Sequence, residues 1–343
     1  MGHYGAIRHL FKYFLRTHSN YQTGYQLNKS TKPPSIGYVY VIFAALLWGV
    51  SGSSAKFLFH SGITPFQLVQ LRITIAAAGL FFYLLLRNPS LIRIKRKDIF
   101  YFAILGLFGM SGVQFTYLFA ISKINVAAAI LLQYMAPSFI AIYAVVFARD
   151  KLSLQTIMAL LGATFGCYLM VGGYNLDVVA MNIAGIVSGL LSAICFSWYS
   201  IHSEYAMRHY SPWTILFYAM LFAALMWNIL HHPLEAFFHP YTVVQWGWII
   251  YIGILGTLVP FGLYLEGVNL IRATRASITA TLEPITAGVI SFIFLNEILE
   301  LWQVMGGVLV IASIIILQIK QKYDEKAPAL IRSKNRSKST TGN

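Results

Sequence analysis

The sequence predicts an all-α integral membrane protein: ten transmembrane helices built as two inverted five-helix repeats. Three observations predict it, namely composition, the spacing of apolar runs and a self-similarity at one fixed offset. Hydrophobic residues make up 58% of the 343 and charged residues only 10%, with a mean hydropathy of +0.66. A soluble domain carries about 25% charged residues, so this chain cannot cover itself with a polar surface. The net charge of +14 invites a nucleic-acid reading. No basic face recurs within an apolar run, however, and topology accounts for the charge. The two cysteines, Cys167 and Cys195, lie in apolar runs and read as buried small hydrophobes, with no disulfide or metal spacing.

Taken in order, residues 1–35 form a basic tail without an acid; the first acid of the chain is Asp98. Ile7, Leu10, Phe11, Phe14 and Leu15 fall at helical spacing against Arg8, Lys12 and Arg16. That pattern is a short amphipathic helix, either an interfacial anchor or a targeting segment. No secretory signal is expected. From residue 36 the chain alternates apolar runs of about 18–22 residues with short breaks, a length that suits a hydrocarbon core about 30 Å thick. The runs are approximately 36–57, 66–86, 99–121, 125–147, 152–172, 182–203, 212–230, 245–265, 274–295 and 300–319. Helices are expected because each must close its backbone hydrogen bonds internally. With both termini cytoplasmic, all but Lys56, Arg72 and Lys123 of the 25 Lys and Arg residues fall inside, as the positive-inside rule requires.

Residues 117–152 and 264–299 align without gaps at an offset of 147. Identities fall at Tyr117/Tyr264, Ile124/Ile271, Ala129/Ala276, Pro137/Pro284 and Leu152/Leu299, and Asp150 matches Glu297. The repeat unit holds five spans. Five is odd, so the second copy enters the membrane from the opposite side, an arrangement associated with transporters and with midplane binding sites. The expected divisions are a basic cytoplasmic tail, 1–35, repeats at 36–173 and 182–319, and a second basic tail, 320–343.

On these residues the chain resembles the drug/metabolite transporter (DMT) superfamily, EamA type. The resemblance rests on "LLWGVSG" (46–52), Pro65 followed by Arg72, "NVAAAILLQYMAPSFIAIYAVVFARDKLS" (125–153) and "ATRASITATLEPITAGVISFIFLNEIL" (273–299), and covers about 36–320. It departs at Arg149-Asp150, where a Glu is typical. It implies a secondary transporter whose spans 1, 3, 4, 6, 8 and 9 surround a cavity.

Glu283 is the candidate with most to explain. A mid-bilayer charge costs about 3 kcal/mol on insertion scales, and Pro284 removes a backbone hydrogen bond, freeing a carbonyl near Ala280. Two roles fit: a cavity carboxylate that binds a substrate cation or a coupling proton, or a helix-packing hydrogen bond. Gln114, Tyr117, Gln133, Tyr134, Trp48, Trp198, Tyr199 and Tyr264 are candidate cavity residues, each with packing as its alternative. Arg72 reads as an anion contact or a structural, snorkelling cation. Pro137 and Pro284 are expected helix breaks. Asp150 and Glu297 read as helix-end residues bonding loop amides, and Glu204 and Glu266 as solvated.

"HHPLEAFFH" (231–239) gathers His231, His232, Glu235 and His239, but Pro233 disturbs their alignment and no metal is assigned. GxxxG pairs at Gly162/Gly166 and Gly185/Gly189 allow close helix approach; a homodimer stays open. No Walker loop or nucleophile elbow appears, so neither a cofactor nor an enzyme activity is expected. The expected function is export of a small metabolite, an amino acid or related compound, across a bacterial cytoplasmic membrane, with lipid, substrate and protons as partners and no nucleic acid. The alternative is import or exchange of a nucleotide-derived metabolite such as a nucleotide sugar or S-adenosylmethionine. A membrane-embedded enzyme or a scaffold is the reading from another class.

Overall fold

The computed structural model describes residues 34–124, 126–171, 173–175, 182–230, 234–295, 300–318 and 326–333. The amphipathic tail, Glu297, His231 and His232 lie outside them. Every regular element among the described residues is helical. The spans are α1 (Pro34–His60), α2 (Pro65–Arg87), α3 (Ile99–Ile104 continuing through Ser111–Lys123), α4 (Val126–Gln133 and Ala136–Val146), α5 (Leu154–Met170), α6 (Ile183–Ala206) and α7 (Pro212–Leu230). A long apolar stretch, Val243–Val289, follows. It holds two spans, because Arg272 inside Val259–Ala280 has φ 69 and ψ 163 and turns the chain. The part before Arg272, from Val243, is α8; the part after it, continuing through Glu283–Leu295, is α9. Leu301–Gln318 is α10. Each of the ten expected runs lies on one of these spans.

Local chemistry sets the ends. Thr64 and Thr242 form capping boxes with Gln67 and Gln245, satisfying amide donors that a helix start leaves open. Ser153 and Asn182 cap α5 and α6 with single side-chain bonds. Pro65 and Pro212 open α2 and α7, where a missing N–H costs nothing.

The repeat is legible in the backbone. Pro65 and Pro212, Ala136 and Glu283, and Leu154 and Leu301 each begin a helix, each pair 147 residues apart. The break at 134–135 in α4 recurs at 281–282 in α9, ahead of Pro137 and Pro284. Both α3 and α8 carry a π-helical turn, Leu105–Met110 and Ile254–Leu258. Packing follows the same two-fold logic. α1 lies against α8 and α9, while α6 lies against α3 and α4; α2 meets α7, and α5 meets α10. An exchange of halves maps each pairing onto another, as inverted repeats require.

Apolar side chains coat the outside: Leu86, Ile183 and Val243 are all more than three-quarters exposed, as expected where lipid is the solvent. Both GxxxG pairs are used within the chain. A Cβ on Gly166 would stand 2.8 Å from the Gly306 carbonyl of α10, and one on Gly189 would meet Leu132 at 2.8 Å. Gly166→Leu is therefore expected to force α5 from α10 and to lower the melting temperature in detergent, since overpacking of this kind costs about 1–3 kcal/mol or more. Unchanged melting would refute that packing.

Candidate functional site

Breaks, π-turns and small residues converge at mid-depth between the two halves. There a cavity with about 540 Å³ of empty space, its mouth included, is lined by Trp48, Ser51 and Gly52 of α1 and Arg72 of α2. Val113, Gln114 and Tyr117 of α3 and Gln133, Tyr134, Ala136 and Pro137 of α4 add to the wall. Phe196 of α6, Phe261 of α8, and Ser277 and Glu283 of α9 complete it. The lining is unequal between the repeats: Gln114 corresponds to Phe261, and Ala136 to Glu283.

Glu283 is 5% exposed and points into this cavity. Its Oε2 lies 2.8 Å from the Tyr134 hydroxyl and its Oε1 accepts from Tyr117 at 3.3 Å. Pro284 cannot donate to the Ala280 carbonyl one turn earlier, and the Tyr134 hydroxyl takes up that carbonyl at 2.7 Å. Tyr134 thus faces two acceptors with one proton. Beside an ionised Glu283 it can serve only one of them. A proton on Oε2 lets Glu283 donate to Tyr134 while Tyr134 donates to Ala280, so both contacts become hydrogen bonds. The geometry accommodates both protonation states with no movement of heavy atoms. Tyr134→Phe strands the Ala280 carbonyl and one carboxylate oxygen. A loss of about 1–3 kcal/mol in stability is expected, read as a lowered melting temperature in detergent; an unchanged melt would show the pair to be idle.

Arg72 is 4% exposed. Its Nε donates to Thr257 Oγ1 at 2.8 Å and its Nη2 to the Gly256 carbonyl at 3.1 Å. These acceptors sit in the π-turn of α8, where the shifted backbone ladder leaves Gly256 O available; Thr257 itself donates to Ile252 O at 2.7 Å. Arg72 does not snorkel. It is pinned with its guanidinium in the cavity wall, and among the described residues Nη1 has no protein partner. Nor does an ion pair join Arg72 to Glu283 among the described residues.

Three expected cavity residues stand elsewhere. Trp198 lies about 200° around α6 from Phe196, so it faces away, against Gly109 and the ring of His202 at 4.3 Å. Tyr199 and Tyr264 are one turn beyond Phe196 and Phe261, below the cavity rather than in its wall. Tyr264 shares a 2.9 Å hydrogen bond with Ser200 and packs on Trp48 at 5.6 Å; Tyr199 packs on Phe261 at 5.9 Å. With Trp48 and Phe196 they form an aromatic floor. Pro284 shapes the site from behind it. Sequence reasoning missed Ser51, Gly52, Val113, Ala136, Phe196, Phe261 and Ser277. Gly52 lay within a quoted motif: a Cβ there would stand 3.2 Å from the Tyr117 hydroxyl.

Beneath the floor the ends of both halves meet on the face where α1 begins and α10 ends, joined by Tyr38 donating to the Leu317 carbonyl. Here Asp150 and Glu204 are not loop-amide ligands or solvated acids. Arg272 bridges them, 2.6 Å to Asp150 and 2.9 Å to Glu204, and Glu204 also accepts from Ala273 N–H at 2.7 Å. On the opposite face Lys56 donates to the carbonyls of Ile121 and Ile124, closing the end of α3. The described residues hold no cluster of metal-binding side chains.

Comparison with known proteins agrees with this architecture. The model of the EamA-like transporter family matches residues 35–172 and again 183–319. The chain is 26% identical over 297 residues to the uncharacterized inner membrane transporter YicL of Salmonella typhimurium, covering 85% of this chain and 98% of that one. It is 35% identical over 203 residues to an uncharacterized transporter of Archaeoglobus fulgidus, covering 59% of this chain and 70% of that one. It is 24% identical over 252 residues to the pseudopaline exporter CntI of Pseudomonas aeruginosa, covering 72% and 84%. A crystal structure of a protein 19% identical in sequence superposes with a TM-score of 0.67 over 83% of this chain and 98% of its own, which shows the shared fold. A ten-span bundle with a buried cavity that holds Arg72 and Glu283, matched twice along its length by one family model, is a multi-pass membrane transporter and belongs to the EamA-like transporter family.

Proposed function

We propose that this protein exports a small zwitterionic metabolite, an amino acid or related compound, by alternating access of its two halves, in exchange for protons taken up at Glu283. One observation carries the reading: Arg72 and Glu283, of opposite charge, line one buried cavity without pairing with each other. A substrate carboxylate meets the unpartnered Nη1 of Arg72, a geometry that a planar guanidinium favours. A substrate ammonium meets Glu283. Proton and ammonium then compete for the same carboxylate, and that competition is the chemical basis of exchange.

A relative named as an exporter supports the direction. The face where α1 begins and α10 ends also carries Arg87, Arg93, Lys95, Arg149, Lys151, Arg208 and Arg275, which supports a cytoplasmic placement of both termini. A relative named as an inner membrane transporter supports a bacterial inner membrane. The divisions at 36–173 and 182–319, flanked by basic tails, serve as the two moving units. A nucleotide-derived substrate would want more fixed cations than Arg72, the one cation among the lining residues. A membrane-embedded enzyme would want several ionisable groups at one depth, where Glu283 is the lining carboxylate.

The test is counterflow in proteoliposomes against a metabolite panel with and without an imposed pH gradient. Accumulation of zwitterions over monovalent acids and amines is expected. Equal flux of all three, or of none, would remove the proposal.

A further inference from the structure

Arg272 carries a backbone conformation that only glycine adopts without strain, and it does so where α8 turns directly into α9. Among the described residues, three bonds hold it. Arg272 reaches Asp150, past the end of α4 in the first half, and Glu204 on α6, and Glu204 grips the next amide, Ala273. Onto this cluster lies a segment beyond α10, residues 326–333. Lys326 donates to the second oxygen of Asp150. Ala327 is 2% exposed. At the far end Arg332 donates to the carbonyls of Met207 and Tyr210, past the end of α6, and reaches Asn269 of α8 at 3.0 Å. The segment thus bridges the ends of α4, α6 and α8, elements of both halves. These ends must part for the cavity to open on this face.

We propose that residues 326–333 form a latch that holds this face of the transporter shut, with Arg272 as its strained hinge. The inference rests on the alternating-access reading above. Lys326 clamps an ionic cluster that spans both repeats, Arg332 ties the other end of the segment to the ends of α6 and α8, and breaking the clamp lets the backbone at Arg272 relax. Burial acts to raise the Asp150 carboxyl, but hydrogen bonds from Lys326 and Arg272 and their charges outweigh it and hold the carboxyl below its ordinary value of 3.8. The carboxylate that anchors the latch is therefore fully formed above that value and is lost only as pH falls through the lower, folded one. Glu204, Arg149, Lys151 and Arg275 are the other charged groups around it, so neutral pH leaves the latch closed.

The experiment places a cysteine at Ser277 in the full chain and measures its reaction with a membrane-impermeant maleimide applied to the terminal face. Cys167 and Cys195 in the parent chain set the background. The latched protein is expected to react slowly. Lys326→Ala with Arg332→Ala, and separately Lys326→Glu, are expected to speed labelling about tenfold, the equivalent of one charge-assisted hydrogen bond. Lys326→Arg is expected to restore the slow rate. Lys326 is largely exposed, so Lys326→Glu remains foldable should the double variant fail. Rates within twofold of one another across the set would overturn the latch. Labelling needs no substrate, so absent counterflow with latch-dependent labelling would remove the functional reading and leave the latch.

Discussion

Glu283→Gln moves substrate without responding to pH. The amide is isosteric with the carboxylic acid, so it keeps Tyr134 and Tyr117 as partners and mimics the protonated carboxyl. Wild-type flux should rise when a pH gradient is imposed, whereas the variant's flux should be flat across the same gradient and at least about tenfold lower under it. That factor corresponds to about 1.4 kcal/mol of lost coupling. Glu283→Ala is expected to do more damage, because it leaves the Tyr117 hydroxyl without an acceptor in a buried cavity. Full gradient-driven flux in Glu283→Gln would assign the carboxylate to helix packing, the alternative that the sequence leaves open.

The second large effect is at Arg72. Arg72→Gln removes a cation and two hydrogen bonds that fasten α2 to the π-turn of α8. Bonds from a charged donor contribute about 1.5–3 kcal/mol each, so a destabilisation of about 3 kcal/mol is expected, together with loss of counterflow. Arg72→Lys separates charge from shape. An ammonium keeps the charge but cannot hold Thr257, Gly256 and a substrate carboxylate in one plane. Its melting temperature should lie between those of wild type and Arg72→Gln, with flux still lost. Wild-type flux in Arg72→Lys would show that a point charge suffices and that the fork has no role in binding.

Much of this was legible in the linear chain because a membrane is a demanding solvent. It forces every span to be a long apolar helix, so composition and run length alone mark ten of them. It also makes a stray carboxylate conspicuous, which is why Glu283 stood out beside Pro284. The offset of 147 was visible because the two copies still share prolines, and those prolines break α4 and α9 at matching points. Gln114, Tyr117, Gln133, Tyr134 and Trp48 could be singled out because polar or indole groups stand out in such runs.

Other features were silent. Phe196 and Phe261 look like any lipid-facing ring in the sequence, and Ser51 and Ser277 like any small packing residue. Trp198, Tyr199 and Tyr264 were expected in the cavity because residue type says nothing about azimuth; a shift of two residues turns a side chain to the far side of a helix. Asp150, Glu204 and Arg272 lie far apart along the chain, and no local pattern announces that one guanidinium joins them. The sequence by itself determined the class, the spans and the doubling: class and spans follow from hydrophobicity summed over about 20 residues at a time, and the doubling from residues shared at one constant offset. The tertiary structure alone decided which polar groups share a cavity and which seal its end. Those contacts depend on helix rotation and on partners more than 60 residues away, distances across which periodicity carries no information.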